Sequence, residues 1–354
     1  MSNNAKNQRF PGVDLAKVVA IFFVMVHHVS DCGLDWQCTN LNLAYVHTLI
    51  HSVSYSCIDL FALATGFLCV NSKCRYSRLA TLWVAAFFWG LTMLAFSKLC
   101  LGLDITWKYY LNAALPVLRQ QYWFFTAYFM LFLVMPFLNS GIKSITKREL
   151  HHLLVAIAIF LCGYSCLGCG DQFQMHSGYS FGWLCVVYVI GAYIRIYSPL
   201  KMSPPKCFCV AGVIAFVCCF RQLLSIVISY RIPGDRFCLS AYTSPFTLAI
   251  ALFIFIGCLN LSFSERIARF LKTAAATTFG IYLIHVQPFV WKNIWHFHLH
   301  QIQVGSISKL IVLVTSLSLL TFIAFAIVEH IRLKVFDRLG INRLIGKIDL
   351  LFPR

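Results

Sequence analysis

Acidic side chains are scarce in this sequence: its 354 residues include only 12 Asp+Glu, and charged residues of all kinds make up 12%. A soluble domain carries about twice that charged share, while the hydrophobic fraction here reaches 60%. No aqueous core hides so much apolar side chain, so a water-soluble fold is excluded, together with disorder, coiled coil and collagen. Also missing are a Gly/Ser linker, a low-complexity tract, a long polar insertion and a convincing internal repeat. The 16 cysteines contain no paired Cys-x-x-Cys motif. Most of them lie inside apolar runs, where cysteine acts as a small hydrophobe. Neither a disulfide scaffold nor a metal centre is therefore expected, and only Cys32 and Cys38 share a polar loop suited to a disulfide.

What is present is a series of apolar segments of membrane-spanning length. A spanning helix needs about 20 largely apolar residues, and ten segments qualify: 13–30, 45–70, 79–101, 120–138, 150–167, 181–197, 207–228, 241–260, 274–291 and 309–330. The first carries Asp14 and Lys17 and lacks a small-residue cleavage site, so it reads as a retained span rather than a signal peptide. The expected fold is an all-α integral membrane protein of about ten transmembrane helices. Residues 1–12 would form an N-terminal tail, 13–330 the membrane domain and 331–354 a basic C-terminal tail.

Basic residues outnumber acidic ones, 29 to 12, for a net charge of +17. In a soluble protein that excess would point to nucleic acid. Counted loop by loop, 21 basic residues fall on one side of the ten-span arrangement and seven on the other, with Arg221 left inside a span. Such asymmetry is the positive-inside bias, which places both termini in the cytoplasm and removes the nucleic-acid reading.

Ionisable residues inside spans are costly and mark function by default. In the first span Asp14, Lys17 and His28 share a stripe: at 100° per residue, Lys17 and His28 point about 20° apart, with His28 about 16 Å inside the cytoplasmic mouth. His27 points elsewhere and reads as packing. Arg75 and Arg78, three apart at the start of the third span, suit a phosphate clamp at a helix N-terminus; standing alone they read first as positive-inside anchors. Tyr282 and His285 share a face of the ninth span, just before Pro288. Trp123 opens the fourth span, where aromatic residues first suggest an interfacial belt. Glu329 reads as an interfacial cap, and His296-x-His298-x-His300 as a solvated loop rather than a metal site.

Five of these motifs, in order, resemble the membrane-bound acyltransferase-3 family. Asp14-x-x-Lys17 followed by His28 is similar to the family's Asp-x-x-Arg, apolar run and histidine. Ala64-Thr65-Gly66-Phe67-Leu68 looks like its Ser-Gly-Phe/Tyr, and Arg75-Tyr76-Ser77-Arg78 like its Arg-x-x-Arg. Tyr122-Trp123-Phe124-Phe125 with Pro136 resembles its Trp-Phe…Pro span, and Ile281-Tyr282-Leu283-Ile284-His285 its Tyr-Leu-Ile-His. The likeness runs over roughly residues 9–335. Lys17 departs from the usual arginine, keeping the charge but losing the bidentate fork.

The resemblance implies transfer of an acyl group, usually acetyl, from cytoplasmic acetyl-CoA to a glycan hydroxyl. The acceptor would be a bacterial surface polysaccharide or its lipid-linked precursor, and the enzyme multi-pass in the lipid of the bacterial cytoplasmic membrane. On that reading His28 is the essential histidine, with Asp14, Tyr282 and His285 as further catalytic candidates. Lys17, Arg75 and Arg78 would hold the donor, Trp123 would face the acceptor, and no metal is called for. An imidazole suits the task, because a sugar hydroxyl attacks a thioester only as a base removes its proton. A transporter or flippase, with His28, Arg221 and Glu329 along a path, is the competing reading; a non-catalytic scaffold leaves the first-span stripe unexplained.

Overall fold

The structure is a computed structural model, and it describes residues 9–33, 41–73, 75–163, 173–198, 200–229 and 241–351. Helices account for the architecture, with no strand among the described residues. Eleven of them matter for the membrane domain and its first loops. These are α1 (Pro11–His27), α2 (Leu41–Ser54), α3 (Cys57–Cys69), α4 (Tyr76–Leu101), α5 (Trp107–Ala114), α6 (Trp123–Ser144), α7 (Lys147–Ile157), α8 (Phe181–Tyr197), α9 (Pro204–Ser229), α10 (Pro245–Asn260) and α11 (Glu265–His285). After a short helical segment over 288–299 come α12 (Ile307–Arg338), α13 (Ile341–Gly346) and α14 (Ile348–Leu351).

Each of the ten apolar segments overlaps helix among the described residues. Six are long and apolar enough to cross a membrane, and three shorter apolar helices accompany them. The remaining segment, expected over 150–167, is α7 with a wider π-helical continuation to Gly163; residues 164–172 lie outside the described set. Cys38 likewise lies outside it, so the Cys32–Cys38 pairing is not described. In α12 the most apolar stretch is only 11% buried, and Ile311, Val312, Leu319, Leu320, Ile323 and Ile327 stand exposed. Such a face is stable against lipid and not against water. The protein is an all-α, multi-pass membrane protein.

Two spans differ from the expectation. The segment 45–70 is interrupted at Tyr55–Ser56, where Ser54 and Ser56 hydroxyls donate to the carbonyls of His51 and Val53. Such hydroxyls compete with the regular ladder and bend the chain. The ninth span lies over Glu265–His285 rather than 274–291. Its exposed basic first turns are helical, begun by Ser264, whose hydroxyl accepts from the Ile267 N–H. Pro288, with no N–H to donate and a steric bar on the residue before it, forbids continuation at the other end.

The first helix is the axis of the domain, packed by α2, α3, α10, α11 and α12. Its buried face carries Gly12, Ala16 and Ala20 at four-residue spacing, and small residues at that spacing let helix backbones approach closely in a bilayer. A close approach of α3 and α8 explains the Gly66 motif. A Cβ at Gly66 would collide with the Tyr188 carbonyl oxygen, and one at Gly191 with that of Leu63. Gly66→Ala is expected to cost about 1–3 kcal/mol through overpacking, read as a lower melting temperature of the detergent-solubilised protein. An unchanged melting temperature would mean that the two helices separate freely.

Candidate active site

α1 is regular as far as His27 and then widens into a π-helical turn, His28–Gly33. Such turns are rare and recur at functional sites. His28 is thus the first residue of the widened turn. Across from it α11 ends at His285, and the two imidazoles are hydrogen-bonded, His28 Nδ1 to His285 Nε2, at 2.9 Å. His285 is 1% exposed, and its Nδ1 finds no partner among the described residues. Trp291, from the segment after Pro288, covers the pair with its ring 4.7 Å from that of His28.

His28 lines a cavity of about 340 Å³. Its walls are largely aromatic: Tyr122 and Trp123 from the start of α6, Tyr179, Tyr242, Tyr282 and Trp291. Trp123 lies 4.6 Å from the Tyr179 ring, which in turn meets Tyr242. Trp123 is therefore a wall of the cavity as well as a residue at a span end. His285 is absent from that wall and stands behind His28, so it touches the catalytic candidate rather than the space where an acceptor would sit.

A second cavity of about 180 Å³ is lined by Lys17, Thr65, Tyr128, Thr278 and apolar neighbours. The two share Val24, Ile58 and Tyr282 as wall residues. Tyr282 thus divides a space reaching down α1 to Lys17 from the chamber at His28. Its buried hydroxyl faces the backbone N–H groups of Phe124 and Phe125 but completes no hydrogen bond among the described residues. Those donors belong to the first turn of α6, whose N-cap residue Tyr122 supplies no capping side chain. An uncapped helix start carries orphan N–H groups and partial positive charge. Here it adjoins the cavity wall.

The cytoplasmic candidates are not all brought to His28. Asp14 is held by Arg9, with Nε donating to Oδ2 at 2.9 Å and a second nitrogen at 2.7 Å. Fourteen residues of helix, about 21 Å, separate it from His28, and it lines neither cavity. The stripe expected from the helical period exists, but an ion pair occupies its lower end. Lys17 is half-buried and within electrostatic reach of Arg9, Asp14 and Arg78. Arg75 and Arg78 are both exposed at the start of α4. The helix N-terminus between them already holds a carboxylate: Asp349 of α14 accepts from the Ser77 N–H at 2.9 Å and its hydroxyl at 2.7 Å. The helix terminus that the spacing suggested for a phosphate clamp is therefore taken, and only the two guanidinium groups stand exposed here. Residues 331–351 are consequently largely helical, with α13 and α14 docked on α4.

Glu329 is not an interfacial cap. It is 2% exposed, accepts from Arg332 at 2.6 and 2.7 Å, and accepts from Trp89 Nε1 at 2.7 Å. This neutralised cluster ties α4 to α12 and lines neither cavity, which takes Glu329 out of any path through His28. Arg221 lies in α9, whose side chains from 221 on are outside the described set.

Sequence reasoning passed over several residues at the site. His47 and His51 lie one helical turn apart in an otherwise apolar segment, a spacing that puts both on one face. They stand beside His27 and Asp31 at the far end of α1, with His47 Nε2 3.8 Å and His51 Nε2 4.0 Å from Asp31 Oδ1. Asp59, fully buried in α3, accepts from Trp183 Nε1 at 2.9 Å. A lone carboxylate in the run Cys57-Ile58-Asp59-Leu60 was the available signal. Tyr179, Tyr242 and Trp291 carried none, since only folding brings their loops to the cavity.

A hydrogen-bonded histidine pair thus stands at an aromatic-walled chamber on an all-α membrane scaffold. Residues 10–330 match the acyltransferase domain of the membrane acyltransferase-3 family, and the chain belongs to that family. It is an acyltransferase. Neither a curated protein nor a solved structure matches the chain.

Proposed function

We propose that the protein transfers an acetyl group from cytoplasmic acetyl-CoA to a hydroxyl of a bacterial surface polysaccharide, such as O-antigen, capsule or exopolysaccharide, or to its lipid-linked precursor, in the cytoplasmic membrane. One observation carries this reading: His28, bonded to His285, sits where an aromatic chamber meets a space descending toward Lys17. The positive-inside asymmetry supports a cytoplasmic position for Lys17, Arg75 and Arg78, and so a donor arriving from that side. Arg75 and Arg78 would hold the nucleotide phosphates while the pantetheine arm runs past Lys17, delivering the thioester near Tyr282. Stacked aromatic walls such as Trp123, Tyr179 and Tyr242 suit the faces of a sugar.

In this mechanism His28 donates its Nδ1–H to His285 Nε2, which leaves His28 Nε2 unprotonated and available to the chamber. Nε2 takes the proton of the acceptor hydroxyl as its oxygen bonds to the thioester carbonyl carbon. The carbonyl oxygen gains negative charge facing the Tyr282 hydroxyl and the uncapped N–H groups of α6, the kind of fixed dipoles that lower such barriers. The C–S bond then breaks, the ester forms, and the thiolate of CoA receives the proton from His28. A transient acetyl-imidazole on Nε2 uses the same geometry. His285 acts through the tautomer of His28 and is a positioning residue.

The test is O-acetylation of surface glycan, read by NMR in cells making matched amounts of wild-type and variant protein, alongside turnover of labelled acetyl-CoA by the purified full-length chain. Arg75→Ala and Arg78→Ala are each expected to raise KM for acetyl-CoA by about tenfold, the scale of one charge-assisted contact, with kcat largely kept. Unaltered KM in both would refute the clamp. His285→Ala is expected to lower kcat about a hundredfold through misplacement of His28, and His285→Gln, which retains an acceptor, to recover part of it. Equal loss in the two variants would assign His285 a merely structural part.

A further inference from the structure

At the far end of α1 three side chains converge that the transfer mechanism does not use. His27 and Asp31, four residues apart across the start of the π-helical turn, meet His51 from α2. One ligand-type atom from each lies within 4.8 Å of the other two. His27 is 6% exposed, and its Nδ1 is buried with no hydrogen-bond partner among the described residues. His51 stacks on Tyr55 at 4.8 Å, which fixes the plane of its ring. His47 stands alongside, its Nε2 3.1 Å from the Ser30 carbonyl oxygen.

We propose that His27, Asp31 and His51 form a binding site for a divalent transition-metal ion of the zinc class, adjoining the acyl-transfer chamber that His27 also lines. Two imidazoles and one carboxylate are the donor set of such ions, whereas calcium and magnesium take oxygen ligands throughout. Zinc–ligand bonds of about 2.0–2.1 Å place ligand atoms about 3.4 Å apart, so modest side-chain rotation closes the present triangle on an ion. Three protein ligands leave a fourth position for water. A buried imidazole nitrogen without a partner costs free energy that coordination removes. His47, bonded to the carbonyl next to Asp31, orients the carboxylate from outside the triangle.

The site joins α1 to α2 immediately beside His28, whose ring is 5.5 Å from that of His27. A bound ion would brace the widened turn on which His28 is carried. Linear sequence conceals the arrangement, because the ligands come from two helices and one of them sits in a non-standard turn. The His296, His298 and His300 run, in contrast, forms no such cluster with a carboxylate among the described residues.

The experiment is zinc binding by the purified full-length chain in lipid nanodiscs after chelator treatment, measured by equilibrium dialysis and elemental analysis, with the cobalt(II) absorption spectrum reporting ligand geometry. The wild type is expected to bind one ion, with a cobalt spectrum of low-coordinate type. His51→Gln and Asp31→Asn are each expected to weaken binding more than about tenfold, since even supporting residues of metal sites contribute that much. His298→Ala should bind as the wild type does. Asp31 is exposed and the Asn change isosteric, so this variant decides the matter even where His51→Gln folds poorly. Absence of stoichiometric binding by the wild type overturns the proposal, as does full binding by Asp31→Asn or loss confined to His298→Ala. These readouts do not involve acetyl transfer and stand whether or not the acetyl-CoA reading does.

Discussion

His28→Ala is expected to lower acetyl transfer by about a hundredfold to ten-thousandfold, the range that a positioned general base contributes, while donor binding stays close to the wild-type value. The separation follows from geometry. His28 lines the chamber that Tyr282 divides from the space above Lys17, and the arginines assigned to the donor lie at the other end of α1. His285 lies behind it, and His27, although it also lines the chamber, packs its ring against His51 and Tyr55. The loss should therefore appear in kcat, with acetyl-CoA affinity measured separately by titration of the variant. Transfer at the wild-type rate by a folded His28→Ala protein would remove His28 from the chemistry.

Glu329→Ala should give the largest loss of stability, about 3–5 kcal/mol, because it strands a buried guanidinium. Arg332 is 7% exposed and takes both carboxylate oxygens, and Trp89 Nε1 loses its acceptor in the same change. Gly280 also packs directly on this carboxylate, so a Cβ at 280 would meet it. Replacing Glu329 and Arg332 together by leucine should recover most of the stability, since a buried pair and a well-packed apolar pair are often equivalent. Thermal unfolding of the single and double variants in detergent checks this. A single variant as stable as the wild type would show that water reaches Arg332.

Much of this architecture was legible in the linear pattern, for a physical reason. A bilayer demands about 20 apolar residues per span and internal satisfaction of the backbone, so hydropathy alone locates the helices. Boundaries were less legible. The start of α11 is amphipathic and basic, and looks like a loop to a method that counts apolar residues. Its end depends on Pro288, whose effect extends back only to the preceding residue. Motif spacing placed His28, Tyr282, His285, Lys17 and Trp123, and each of these is at or against the cavities. It also grouped Asp14 with His28 because a helical period ignores which neighbours compete. Arg9 takes Asp14, just as Asp349 takes the start of α4.

By itself the sequence determined that the protein lies in a membrane, that it is helical, and which family it resembles, since these follow from composition, local period and short motifs. The tertiary structure alone decided the pairing of His28 with His285, residues 257 apart along the chain. It also decided the aromatic chamber, the buried Glu329–Arg332 pair and the convergence of His27, Asp31 and His51. These depend on how separate helices pack against α1, and packing distance between segments is the quantity that periodicity along one segment does not contain.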